Sequence, residues 1–266
     1  MIHASAIVSE KAVIGTGTTI GPYSIIEEGV QIAESCSIAA HAIVRRGSII
    51  QNEVSVDSFA VIGGDPQSLN FDCSIKSGVI IGEGSVIREG CTIHRASHEG
   101  NNTIVGKKCF IMGQVHVAHD CRLADEVVLT NNVMLAGHVT VDTRTYIGGG
   151  AGIHQFCRIG SYAMVAGNAS ITADVPPFMM VSERNLAHGL NLVGLRRGGF
   201  ERAEIVDLKQ CYRSLYLDGG NLKKKAHQLL QSGECGTTEA GRSFLEFFED
   251  GKRGFAQLSK SDTMRS

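Results

Sequence analysis

The stretch "VSEKAVIGTGTTIGPYSIIEEGVQI", residues 8–32, carries an aliphatic residue at every sixth position: Val8, Ile14, Ile20, Ile26 and Ile32. Extended in both directions, the series runs unbroken from Ile2 to Ile62. It slips by one across Gly63–Val79 and resumes at Ile81, Ile87 and Ile93. Glu99 interrupts it inside "HRASHEGNNT" (His94–Thr103), and it then continues from Val105 to Ile171. A period of six is neither helical nor that of an ordinary alternating strand. It is the signature of a parallel β-helix, in which each hexad makes one short strand and one corner. The aliphatic residue points inward and stacks on its equivalents in neighbouring coils.

Two residues before it lies a second inward position, and this one is mostly small: Ala12, Thr18, Ser24, Ala42, Ser48, Ala60, Ser85, Ala151, Ala163 and Ala169. Five of the eight cysteines, Cys36, Cys91, Cys109, Cys121 and Cys157, fall there too. They read as small packing residues of a tight prism rather than disulfide partners or metal ligands. Cys73, Cys211 and Cys235 lie elsewhere, without metal-ligand spacing. Three hexads make an eighteen-residue triangular coil. The prism should have roughly nine or ten coils and be about 45 Å long.

Composition agrees with a narrow, regular interior: 32 glycines, 6% aromatic residues and no tryptophan in 266 residues. The net charge of −2 lacks the basic footprint of a nucleic-acid binder. The opening "MIHASAIVSE" has neither a cationic start nor a long apolar run, and no eighteen-residue apolar stretch exists. A cytoplasmic location without stable membrane insertion is therefore expected.

At "ADVPPFMMV" the two prolines, Pro176 and Pro177, are expected to end the strand ladder, because proline lacks a backbone N–H. Beyond them, Ile205, Leu208, Tyr212 and Leu215 recur at helical spacing, as do Phe244, Phe247 and Phe248. Breaks are marked at Gly219–Gly220 and at 233–236. The division expected is a β-helix over 1–191 and a small helical domain over 192–266, with 257–266 as a frayed tail.

"HVAHDC", His116–Cys121, places two histidines and an aspartate in one hexad. Residues eighteen apart should stack on successive coils. On that arithmetic His98, His116, His119, His138 and His154 occupy neighbouring columns near one corner, and His94 falls outside. Clustered imidazoles suit general-base chemistry or metal binding. A carboxylate beside a histidine fits a base and its orienting partner, since it fixes the tautomer and raises basicity. A three-histidine zinc site is the alternative, but no cysteine or glutamate stands in the same columns to complete a ligand set. The run at 222–225, "LKKK", fits either a solvated helix face or a docking surface for an acidic protein.

Taken together, "VHVAHDC", "LAGHVTVD", "GIHQFCRIG", "MVAGNASITADVPPF", "GLNLVGLRRGGF" and "GKRGF" resemble the UDP-N-acetylglucosamine acyltransferases of lipid A biosynthesis over nearly the whole chain. The resemblance implies a left-handed β-helix and a homotrimer with sites between subunits. It also implies transfer of an (R)-3-hydroxyacyl chain from acyl carrier protein to the 3-position of the glucosamine unit of a UDP-sugar, without metal or dissociable cofactor. By the same resemblance His119 is the catalytic base and Asp120 its orienting partner, and the backbone N–H of Gly137 stabilises the oxyanion. His116, His138 and His154 would hold substrate. Gln155, Asn191, Arg196 and Arg197 would stand on the nucleotide side, and Gly167 at the acyl tail.

There are departures. In "GGDPQSLNF" Gln67 is kept, but Ser68 and Asn70 stand where the family usually has Asp and Lys against the sugar-nucleotide. Gly198 follows the arginine pair where a third basic residue is common, and Val193 stands where some members carry a glutamate. Three acceptors follow: the usual UDP-N-acetylglucosamine, its 3-amino variant, or a related sugar bound weakly. A coenzyme A-dependent hexapeptide transferase and a non-catalytic β-helical spacer are the other classes the repeat alone allows.

Overall fold

The computed structural model describes residues 1–217 and 220–258. The hexads make short strands that pass in turn to three sheets of nine, eight and eleven strands, and all pairing between hexads is parallel. The chain thus winds a triangular, left-handed parallel β-helix. Pairing sets the coil length directly: Ile25 faces Ile43, and Ile43 faces Val61.

The aliphatic column is the core. Ile26, Val44, Ile62, Ile93, Val117, Leu135, Ile153 and Ile171 are all at most 2% exposed. Each such side chain contributes about 1.5–3 kcal/mol on burial. The small inward position has a second role. Thr18, Ser24 and Ser85 donate to the corner carbonyls of Ala33, Ala39 and Gly106 at 2.7–2.8 Å. Cys36, Cys109 and Cys121 do the same with their thiols, to Gln51, Ala124 and Ala136. The position takes nothing larger than valine, which fills it at Val30, Val54, Val115, Val127, Val133 and Val139, and these hydroxyls and thiols also satisfy a corner carbonyl. Burial pushes the thiol of Cys121 up to about 12, and those of Cys91, Cys109 and Cys157 to about 11, so these are inert packing groups.

Two insertions interrupt the winding. Val79 pairs with Ser48 across the loop that follows Gly64. Thr92 pairs with His116, a spacing of one coil plus one hexad. The second insertion preserves the six-residue frame while breaking the eighteen-residue one. It brings His94 onto the histidine face, contrary to the column arithmetic.

The prolines do not end the ladder. Met179–Ser182 continues the eleven-stranded sheet in parallel with Met164–Val165, and Leu186–Leu190 then returns antiparallel. Pro176 and Pro177 occupy the corner before that strand, where no ladder N–H is required. Helices follow: α1 (Leu192–Arg197), α2 (Arg202–Tyr212, running into a π-turn at Arg213–Leu217), α3 (Leu222–Ser232) and α4 (Glu239–Glu246). Leu208, Leu215, Phe244 and Phe248 form their shared core. Tyr212 and Tyr216 stack there, and the Tyr216 hydroxyl donates to the Ala256 carbonyl at 3.0 Å. Instead of fraying, Gln257–Leu258 returns to the prism as a strand beside Leu186 and Ala187. Gly219 and residues 259–266 lie outside the described residues. No helix among the described residues is long and apolar enough to cross a membrane.

Candidate active site

The histidine cleft lies on the nine-stranded face and measures about 710 Å³. His94, His116, His119 and His154 line it together with Gly137 and Gln67, and its floor is the outward side of three strands at Met134, Gly152 and Ser170.

Behind the lining His119, one carboxylate oxygen gathers the polar contacts, and neither it nor His138 lines the cleft itself. Asp120 turns the corner in the left-handed region (φ 61°), as does His138 one coil on, and the two side chains therefore rise along the same edge. Asp120 Oδ2 accepts from the Ser97 hydroxyl at 2.6 Å and the Ser97 N–H at 3.1 Å. It lies 2.8 Å from His119 Nδ1 and 3.7 Å from His138 Nε2. Burial alone would raise the Asp120 carboxyl, but the Ser97 and His119 hydrogen bonds together hold it below its ordinary 3.8. It is ionised at neutral pH, accepts only, and so draws the proton of neutral His119 to Nδ1. That leaves the Nε2 lone pair of His119 free to take a proton. A side chain on Gly137 would meet His119 Cε1 at 2.6 Å and Nε2 at 2.8 Å, so the imidazole lies directly over the glycine backbone. Among the described residues nothing accepts the Gly137 N–H.

The other rings brace this pair. His119 and His138 meet edge to face at 5.1 Å, and His138 stacks on Phe156 at 4.5 Å. His116 Nδ1 is 2.8 Å from the Thr92 hydroxyl, and its ring meets His94 edge to face at 4.8 Å. Burial pushes His116 and His138 down, and His94 down to about 4, aided by neighbouring imidazoles. These rings are neutral hydrogen-bonding groups at physiological pH. His119, Asp120 and His138 also present ligand atoms within 4.8 Å of one another, the one such group among the described residues. A metal there would compete with the three hydrogen bonds already made to Asp120 Oδ2.

Not every expected residue is here. Gln67 reaches the cleft from the first insertion, but Ser68 and Asn70 are exposed and do not line it. Arg95 anchors that loop. Only 1% exposed, it bonds Asp65 at 2.7 Å and the carbonyls of Ile75 and Cys73. Gln155 is exposed, and its carbonyl lies 3.3 Å from His154 Nδ1. Gly167 sits at the opposite edge of the same face, on the corner before Ser170–Ile171. Asn191 and Arg197 line a different cleft of about 840 Å³, with Arg144, Tyr162 and Gly198. Asn191 is also committed to structure there. Its side chain caps α1 through the Gly194 N–H and donates to the Tyr162 carbonyl. Arg196 and Arg197 are exposed in the last turn of that helix.

Sequence reasoning missed His94, Ser97 and Thr103. Ser97 sits in an irregular insertion, and Thr103, whose hydroxyl accepts the Asp120 N–H at 2.8 Å, looks like any repeat residue. Only His94 left a signal, which a six-residue offset in the column count would have recovered.

A β-helix of hexads bearing a histidine–carboxylate pair in an apolar cleft defines a hexapeptide-repeat transferase. Residues 11–46 match the bacterial transferase hexapeptide family, and residues 174–256 match the second domain of UDP-N-acetylglucosamine O-acyltransferase. The acyl-[acyl-carrier-protein]–UDP-N-acetylglucosamine O-acyltransferase of Herminiimonas arsenicoxydans is 40% identical over 258 residues, 96% of this chain and 98% of that one. The enzyme of the same name from Campylobacter concisus is 37% identical over 232 residues, 86% and 88% of the two chains. The solved Francisella novicida UDP-N-acetylglucosamine acyltransferase superposes with a TM-score of 0.93 at 32% identity, covering 99% of this chain and 96% of that one. The present chain belongs to the UDP-N-acetylglucosamine O-acyltransferase family.

Proposed function

We propose that this protein transfers an (R)-3-hydroxyacyl chain from acyl carrier protein to the 3-hydroxyl of the glucosamine unit of UDP-N-acetylglucosamine, the first step of lipid A biosynthesis, in the cytoplasm. The observation that carries this reading is the Asp120–His119 pair, whose free Nε2 lies over Gly137. His119 Nε2 takes the proton of the sugar hydroxyl as the oxygen attacks the thioester carbonyl. The Gly137 N–H then faces the developing oxyanion. Collapse breaks the C–S bond, and the imidazolium returns its proton to the departing thiolate. Asp120 stabilises the transient imidazolium. His116, His138 and His154 hold substrate. The face between His119 and Gly167, floored by Met134, Gly152 and Ser170, accommodates the acyl chain.

A homotrimer follows from the same reading. Asn191, Arg196 and Arg197 complete a nucleotide site only if a neighbouring prism brings its second cleft against the histidine cleft. Gln155 takes part at that junction.

The exposed Ser68 and Asn70 favour a second acceptor, the 3-amino UDP-sugar, which gives an amide. Initial rates with acyl carrier protein thioester and either sugar test the assignment. Faster transfer to the 3-hydroxyl sugar supports it. A strong preference for the amine replaces it with amide formation, and no transfer to either overturns both.

A further inference from the structure

The segment "GKRGF" (251–255) lies far from the histidine hexads in sequence, yet the fold lays it against them. Gly254 accepts from the Asp174 N–H, and the Ala256 N–H donates to the Asp174 carbonyl, both at 2.9 Å. Asp174 is fully buried and its carboxylate holds Arg158 at 2.8 Å. Gly251, at φ 117°, passes so close above this pair that a Cβ would stand 2.6 Å from Asp174 Oδ2 and 2.7 Å from Arg158 Nη2. The strap is therefore seated on the prism, and it delivers Arg253 to the edge of the cleft. There Arg253 Nη2 contacts His154 Nδ1.

Two groups compete for that ring nitrogen. The Gln155 carbonyl, 3.3 Å away, is an acceptor and would favour a proton on Nδ1. The Arg253 guanidinium only donates and requires the Nδ1 lone pair. A charged donor makes the stronger hydrogen bond, so Arg253 prevails. The single proton of the neutral ring then resides on Nε2, which has no protein partner among the described residues while His154 lines the cleft.

We infer that Arg253 is a positioning residue that locks His154 as a hydrogen-bond donor toward the acceptor oxygens of the sugar-nucleotide. The inference rests on the acyltransferase reading only for the identity of that ligand. The tautomer is a property of the free protein. Without Arg253, His154 turns its proton to the Gln155 carbonyl and offers the substrate a lone pair instead.

Long-range 1H–15N correlation of the histidine ring nitrogens, assigned with His154→Gln, reads the tautomer at pH 8 without any substrate. The expected result is Nε2–H in wild type and in Arg253→Lys, and Nδ1–H in Arg253→Ala. In the assay, Arg253→Ala should raise KM for the UDP-sugar about tenfold, with kcat within about twofold, and Arg253→Lys should recover most of the loss. An Nδ1–H wild type, or a tautomer unchanged in Arg253→Ala, overturns the inference. An inactive wild type with the expected tautomers would instead sink the acyltransferase reading and leave Arg253 in its role.

Discussion

Asp120 bonds the histidine that immediately precedes it: its Oδ2 stands 2.8 Å from His119 Nδ1. Chain neighbours seldom face each other this way. Here the left-handed turn at Asp120 folds the carboxylate back against the imidazole, while Ser97 holds the same oxygen from the insertion loop. Asp120→Asn should keep the shape but lose the tautomer control, lowering kcat about 10²–10⁴-fold. Ser97→Ala keeps the backbone N–H bond and removes one hydroxyl bond, so about fivefold is expected. Steady-state kcat for the two variants checks the ranking, and a Ser97→Ala loss as deep as that of Asp120→Asn would refute it.

Gly137 is predicted to tolerate no side chain. The added methyl of Gly137→Ala would stand 2.6 Å from His119 Cε1, so the ring must move. A displacement near 1 Å costs about 100-fold in rate. Circular dichroism should match wild type while kcat falls by that factor. Wild-type kcat in this variant would show that His119 does not need its present place.

Acid sensitivity should have two components. His94 is held near 4 when folded against an ordinary 6.5, so between those values the unfolded chain binds the extra proton. Stability therefore falls as pH drops from about 6.5 to 4. Asp120 has the opposite chemistry and the same outcome at lower pH. Its lowered carboxyl contributes stability above 3.8, which is lost as pH falls through its folded value. Denaturant melts of His94→Gln against wild type should show the variant's stability to be flatter between pH 6.5 and 4. Parallel curves would remove His94 as the cause.

The thiols offer a direct check on the packing. Of the eight cysteines only Cys73 is exposed. A thiol reagent should label one cysteine per folded chain quickly and all eight after denaturation. Rapid labelling of Cys121 or Cys109 would contradict the closed small-residue column.

Why some of this was legible in sequence and some was not follows from the period of six. A hexad reports which residues point inward, so Val117, Cys121 and the rest of the core could be read one by one. It is silent on the coil to which a hexad belongs. The six-residue insertion between Ile93 and Val105 leaves the period untouched, which is why His94 was misplaced although its ring touches His116. The corner prolines misled for a related reason. Pro176 and Pro177 forbid a ladder bond only within a strand, and the hexad frame does not show that they stand between two. Ser97, Arg95 and Arg253 act from loops and a distant strap. Their contacts are set by tertiary placement, and no spacing announces them.

The central claim is that His119 removes the acceptor's proton. The most direct measurement is the rate of sugar-dependent thioester consumption from acyl carrier protein by wild type and by His119→Ala at saturating UDP-N-acetylglucosamine. We predict a fall in kcat of about 10²–10⁴-fold with an unchanged fold. A variant that retains wild-type kcat would contradict the account.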